Sequence, residues 1–221
     1  MIYDLKHERN ELFLRGEARK LAQRLEECND PKELENMLLG AEYFYQEGMR
    51  AFKEENFKSA LYNFEKSAEM GHELAQFNLG HCYFNGIGRR KNYAKAYSYF
   101  KQSAEQEQPF AELHLGICLQ NGMGVKEDPV AAFHMYQRSA QHGHSLAFNN
   151  VGFCYEYGIG VEENLERAFE CYRISAEGGS PIAVFNVGQF YEEGKGGVEK
   201  DLKKAKECFV KSASLGIKDA Q

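Results

Sequence analysis

The sequence lacks tryptophan, has only four prolines and contains no uninterrupted apolar run of membrane-spanning length. A spanning helix needs roughly 18 or more consecutive apolar residues. The opening residues, MIYDLKHERNELFL, have charges throughout and no apolar segment of signal-peptide type. We therefore expect no membrane insertion and a cytoplasmic protein.

Clustered positive charge is also missing. The densest basic run is Arg89-Arg90-Lys91, and the formal net charge is −6. A nucleic-acid-binding protein needs a basic patch to neutralise phosphates, so the sequence predicts no such partner.

The six cysteines form no C-x-x-C pair, and we interpret them as reduced thiols. His114 and Cys118 have the spacing of two metal ligands on one helix. Cys118, however, repeats at Cys82 and Cys154, which is typical of a small core residue. The sequence therefore predicts no metal site and no other cofactor.

One ten-residue segment occurs four times at a spacing of 36. LGHCYFNGIG at 79–88 returns as LGICLQNGMG at 115–124, VGFCYEYGIG at 151–160 and VGQFYEEGKG at 187–196. Self-similarity at a fixed period of this length indicates a repeat architecture in which successive units stack.

Each unit is predicted to be two antiparallel helices. Apolar residues at helical spacing, such as Ala147, Val151 and Tyr155, mark the first helix, and the Gly-x-Gly segment ends it. The second helix is predicted to begin after a capping residue, at Asn56, Asn92, Asp128, Asn164 and Asp201. One hairpin cannot bury its own apolar face, so the sequence predicts an all-α, right-handed α-solenoid.

The pattern A-x-x-x-LG-x-x-Y-x-x-G-x-G, followed by A-x-x-x-Y-x-x-S-A, resembles the Sel-one-like repeat, a branch of the tetratricopeptide superfamily. Four copies are expected at 73–108, 109–144, 145–180 and 181–216. Upstream, we expect a capping helix within 1–30 and a tetratricopeptide-like helix pair with an extended first helix at 31–72. Residues 217–221 are interpreted as a tail or as the start of a further repeat. We favour the second interpretation, in which this chain is a piece of a longer protein.

The resemblance implies a partner-binding groove along the first helices. It places the groove positions three residues before, one residue after and five residues after the glycine within the first helix, which we call the helix glycine (for example Gly80 or Gly152). Carried onto this chain, with His114 added, these positions include Tyr45, Phe77, His81, Asn85, His114, Asn149, Phe153, Tyr157, Gln189 and Glu193. The alternative is that some of these side chains pack between repeats, which we favour for Phe77 and Phe185. The groove lacks a basic cluster, so a neutral or basic protein segment is the expected partner.

Two further features have simple interpretations. Ser98 and Lys101 match the Ser-x-x-Lys pair of penicillin-recognising enzymes, but the companion motifs are missing, and we expect ordinary surface residues. His72, His142 and His144 flank turn glycines, so we expect solvated turn positions.

The sequence thus favours a non-enzymatic scaffold or adaptor of the kind found in signalling complexes. Three alternatives stay open at this point: a regulatory arm of a larger protein such as a kinase, a self-assembling array that forms oligomers, and a hydrolase using Ser98.

Overall fold

The computed structural model describes residues 31–218, which form ten helices and no strand. The capping helix predicted within 1–30 and the last three residues lie outside this range. In chain order the helices are α1 (Pro31–Lys53), α2 (Phe57–Glu69), α3 (Glu73–Asn85), α4 (Tyr93–Ala104), α5 (Pro109–Gln120), α6 (Pro129–Gln141), α7 (Ala147–Tyr157), α8 (Leu165–Glu177), α9 (Pro181–Glu193) and α10 (Leu202–Lys218).

The helices pack as consecutive pairs, as predicted. The first helix of each unit (α1, α3, α5, α7 and α9) packs against the helix that follows it, and that second helix packs against the first helix of the next unit. The apolar face of each hairpin is therefore covered by its neighbours. The predicted α-solenoid of helix pairs is confirmed.

Small and large residues alternate where the helices cross. The alanines at the crossing points, including Ala111 and Ala132, are fully buried, and so is Tyr136 at 2% exposure. A Cβ added at Gly116 would lie only 2.5 Å from Cε1 of Tyr136. Because the helix glycine has no side chain, the aromatic ring of the second helix fits directly against it. Close packing there leaves no room for a methyl group.

The predicted capping residues of the second helices are confirmed. The side-chain oxygens of Asn92, Asp128 and Asn164 each accept a hydrogen bond from the backbone amide three residues later, at 2.9–3.0 Å. Asn56 and Asp201 cap their helices in the same way. These bonds satisfy amides that a helix start otherwise leaves unpaired.

The two glycines of each loop have different structural roles. The first, such as Gly158 (φ 65°), is the left-handed residue that ends the first helix. The second, such as Gly160 (φ 70°), lies against the first turn of the preceding unit's second helix, where a Cβ would overlap the Pro129 carbonyl oxygen. Gly124 approaches the backbone of Tyr93 in the same way. The second glycine therefore allows the backbones of successive units to contact each other.

Candidate functional site

The first-helix face is defined here as the side chains of α3, α5, α7 and α9 at the three positions set by the helix glycine. On α7 this face carries two exposed aromatic residues. Asn149, Phe153 and Tyr157 follow one another at intervals of four, so they share one side of the helix. Phe153 is 39% exposed and Tyr157 is 60% exposed. Their ring centroids are 4.7 Å apart, so together they form one aromatic pair.

The neighbouring helix α9 continues this surface. Asn186 Nδ2 donates a hydrogen bond of 3.0 Å to Asn149 Oδ1, which joins α9 to α7 beside the aromatic pair. Phe185 is 44% exposed although its ring lies 5.1 Å from that of Phe209. Gln189 is half-buried. The result is an apolar and amide-rich area spanning two adjacent units.

Two predicted contact residues are not available to a partner. Tyr45 is a core residue, 7% exposed, with its ring stacked on that of His72 at 4.5 Å. His114 lies among the rings of Phe77, Phe84 and Phe100, at 5.0–6.2 Å. The interpretation of these two as partner contacts is corrected, because aromatic rings of adjacent helices enclose both side chains.

Phe77 and His81 lie at the same junction. The Phe77 ring packs against Phe100 and Phe110, each at 6.0 Å, so it fills the space between units. His81 is half-buried, 6.1 Å from the ring of His114. Burial, with a smaller contribution from His114, lowers the pKa of His81 to about 4. Asn85 is exposed but donates to the carbonyl of His81 in its own helix.

The histidines beside the turn glycines contact other side chains and are at most partly exposed, contrary to expectation. His72 accepts from the amide of Ala75 and pairs with Glu42 at 2.9 Å. His144 packs against Phe110 at 4.4 Å, and burial lowers its pKa to about 4. His142 Nδ1 lies 2.8 Å from Glu112 Oε2. The turn position determines only the backbone conformation, whereas the side chains contact the first helix of their own unit.

Positive charge is excluded from the first helices of the four glycine-loop units. Neither lysine nor arginine occurs in α3, α5, α7 or α9, whereas the second helices carry many. Glu192 and Glu193 are exposed at the end of α9. The face is therefore neutral over most of its length and acidic at its α9 end.

One acidic side chain of α7 is already paired. Glu156 accepts from the Tyr172 hydroxyl at 2.7 Å and from Lys195 Nζ at 2.9 Å, and Lys195 also contacts Glu193 at 2.9 Å. The Glu156 carboxylate is therefore not available to a partner's cation. Lys195 occupies the middle position of a Gly-x-Gly loop, where the other loops have Ile87, Met123 and Ile159. That exception in the repeat pattern was the available signal for an ion pair.

A second unpredicted ion cluster lies inside the array. Glu112 is fully buried, 2.9 Å from Arg138 Nη2 and 2.8 Å from His142 Nδ1. Burial raises the pKa of Glu112, and its two partners oppose that rise. The equivalent positions of the next two units hold Phe148 and Val184, so a charge at an apolar repeat position was the signal.

We expect Glu112→Ala to lower the free energy of unfolding by about 2 kcal/mol, since truncating a buried ion pair leaves a void and unpaired partners. Arg138 and His142 are 41% and 30% exposed, so both can regain water and the loss stays below that of a fully buried pair. Glu112→Val, which copies Val184, is the matched variant and should cost less than half as much. Urea denaturation measures both, and a larger loss for valine would contradict this account.

The two groups considered for catalysis each contact a different side chain. Ser98 Oγ accepts from Gln102 Nε2 at 3.4 Å, while Lys101 lies 4.0 Å from Glu105. Between residues 31 and 218, no three His, Cys, Asp or Glu side chains are grouped to hold a metal ion. No helix in the same range is long and apolar enough to cross a membrane.

Comparison with known proteins now defines the class. The model of the Sel1 repeat family matches residues 36–72, 74–107, 109–144, 146–180 and 181–217. This chain belongs to the Sel1 repeat family, whose members are generally non-catalytic protein-interaction scaffolds. The match includes 36–72, the unit without a Gly-x-Gly loop.

Solved structures agree with this assignment. A Sel1 repeat protein from Oxalobacter formigenes is 29% identical with a TM-score of 0.77, and the alignment covers 93% of this chain and 83% of that one. The protective antigen c5321 of uropathogenic Escherichia coli, which has an SLR fold, is 29% identical with a TM-score of 0.72. That alignment covers 80% of this chain but 38% of the antigen, so this chain spans less than half of its length. No curated protein sequence matches the chain at a significant level.

Proposed function

We propose that this chain is a non-enzymatic scaffold or adaptor that holds a protein segment on the first-helix face, which is the concave face of such solenoids. The observation that carries the proposal is the exposed pair of Phe153 and Tyr157 beside the Asn149–Asn186 hydrogen bond. Aromatic side chains supply large contact areas at interfaces. Amide side chains can bond to the backbone of an extended segment.

The charge of the face supports a neutral or basic segment. The helices α3, α5, α7 and α9 contain no cation, and the exposed acids at the end of α9 would repel an acidic segment. A basic side chain in the segment would meet Glu192 or Glu193 there. The signalling role, the cytoplasmic location and oligomer formation stay predictions.

The test is a selection of random displayed peptides on the wild-type chain, followed by affinity measurement on variants. We expect Phe153→Ala/Tyr157→Ala to weaken the selected peptides by about 30-fold, the effect of a lost interface hot spot of ~2 kcal/mol. Tyr62→Ala is the matched control, because Tyr62 lies on the second helix α2 with 58% exposure, close to the 60% of Tyr157. Helicity should be unchanged in both variants.

Two results would contradict the proposal. Peptides that bind the double variant as tightly as the wild type would place the interface elsewhere, on the second helices or the loops. Selection of predominantly acidic peptides would refute the charge argument, even if the aromatic pair were required.

A further inference from the structure

On the side of the array formed by the second helices, a pocket of about 240 Å³ opens between α6 and α8. Phe148, Val151 and Tyr155 of α7 line it, together with Cys171 of α8. Val151 and Tyr155 are otherwise buried, at 4% and 8% exposure. The pocket is thus a gap over the core, apolar at its base, and its α7 residues Val151 and Tyr155 alternate along the helix with the aromatic pair of the first-helix face.

Comparison of the repeats explains why the gap exists. Cys171 occupies the repeat position that holds Tyr99 and Met135 in the two preceding units. The Tyr99 ring stacks on Tyr83 with centroids 5.8 Å apart and an interplanar angle of 10°. Tyr155 is the counterpart of Tyr83, but the short Cys171 side chain provides no ring to stack on it. In the first glycine-loop unit, Tyr99 fills a volume of the size of a tyrosine side chain. The equivalent volume in the third unit is therefore open.

We propose that this pocket binds a tyrosine side chain from a partner protein. The chain itself seats a tyrosine on the equivalent ring, so the shape and the stacking partner are those of a phenol ring. A dry apolar cavity of roughly 150 Å³ is large enough to bind benzene. The space at Tyr155 therefore admits a phenol.

The rim of the pocket suits the hydroxyl group of that tyrosine. Gln137 and Gln141 of α6 and Glu170 of α8 surround the opening, and each carries an oxygen that can accept a hydrogen bond. The Arg167 guanidinium is 5.6 Å above the Tyr155 ring, which helps to hold the ring in place. The charge of the Glu170 carboxylate is already paired, because Arg173 donates to both of its oxygens.

The test titrates p-cresol, the tyrosine side-chain analogue, and N-acetyltyrosinamide into the isotope-labelled chain. We expect saturable amide shifts at Ala140, Val151 and Cys171 with both compounds and weaker ones with cyclohexanol, which cannot stack. Cys171→Tyr, which copies Tyr99, should weaken cresol binding at least tenfold and raise the melting temperature. Tyr99→Cys should open an equivalent second pocket and add a second set of shifts around Tyr83.

Each contrary result overturns the proposal. No saturable shift in the wild type, or binding that Cys171→Tyr leaves unchanged, would show that the pocket does not take a phenol ring. Binding of cresol without binding of the blocked tyrosine would show that the opening excludes a protein-borne side chain. If Cys171→Tyr does not fold, failure of Tyr99→Cys to gain a cresol site is equally decisive. Phe153→Ala should not change cresol binding, so failure here is separate from failure of the proposed function.

Discussion

Replacing Gly160 with alanine should lower the free energy of unfolding by about 2–5 kcal/mol. A left-handed alanine costs about 1–2 kcal/mol. Its Cβ would also overlap the Pro129 carbonyl oxygen, and overpacking of this kind adds about 1–3 kcal/mol. Because the clash is with backbone, no side-chain rotation can relieve it. Urea denaturation monitored by circular dichroism measures the loss.

Gly158→Ala is the matched control, two residues away in the same loop. Gly158 has the same left-handed backbone, with φ 65°, but the nearest atom to an added Cβ is the Val161 carbonyl oxygen at 3.6 Å. Only the conformational cost should remain, about 1–2 kcal/mol. If the two variants lose the same free energy, the close contact between units contributes nothing and the proposed role of the second glycine is wrong.

This difference between the two glycines shows how far a repeat pattern predicts structure. The spacing of 36 and the capping residues predicted the helix pairs, because helix periodicity and capping depend on local sequence. The end of the first helix at Gly158 followed from the same local rules. The contact of Gly160 with the preceding unit did not, since it depends on how two units approach each other in space.

The candidate site was predicted in part for the same reason. The helical period correctly places Phe153 and Tyr157 on one side of α7. It could not tell that Tyr45, at a corresponding position, is stacked under His72. Which member of a repeated position is exposed depends on the side chains that pack around it in three dimensions. The substitution of Cys171 for Tyr99 is the clearest case, because only the comparison of units in three dimensions reveals the open ring face of Tyr155.

Acidification should destabilise the array through its half-buried histidines. His81 and His144 have folded-state pKa values of about 4, below the ordinary value of 6.5, since burial favours the neutral ring. The stabilising effect is thus complete above pH ~6.5 and is lost as the pH falls towards ~4. At 1.36 kcal/mol per pKa unit, and with a discount for partial exposure, each histidine contributes about 2 kcal/mol. Burial also lowers the pKa of His114, which acts in the same direction.

The measurement compares unfolding free energies in urea from about pH 7 to about pH 4.5 for the wild type and for His81→Gln/His144→Gln. Both substitutions copy residues at equivalent repeat positions, Gln189 and Gln108. Carboxylates titrate in the same interval in both proteins, so the difference between the two curves isolates the histidines. We expect the variant to lose several kcal/mol less, whereas His134→Gln, at an exposed position of α6, should follow the wild type. Parallel curves for the double variant and the wild type would mean that the buried rings already have access to water, and the close packing of His81 and His144 would then be wrong.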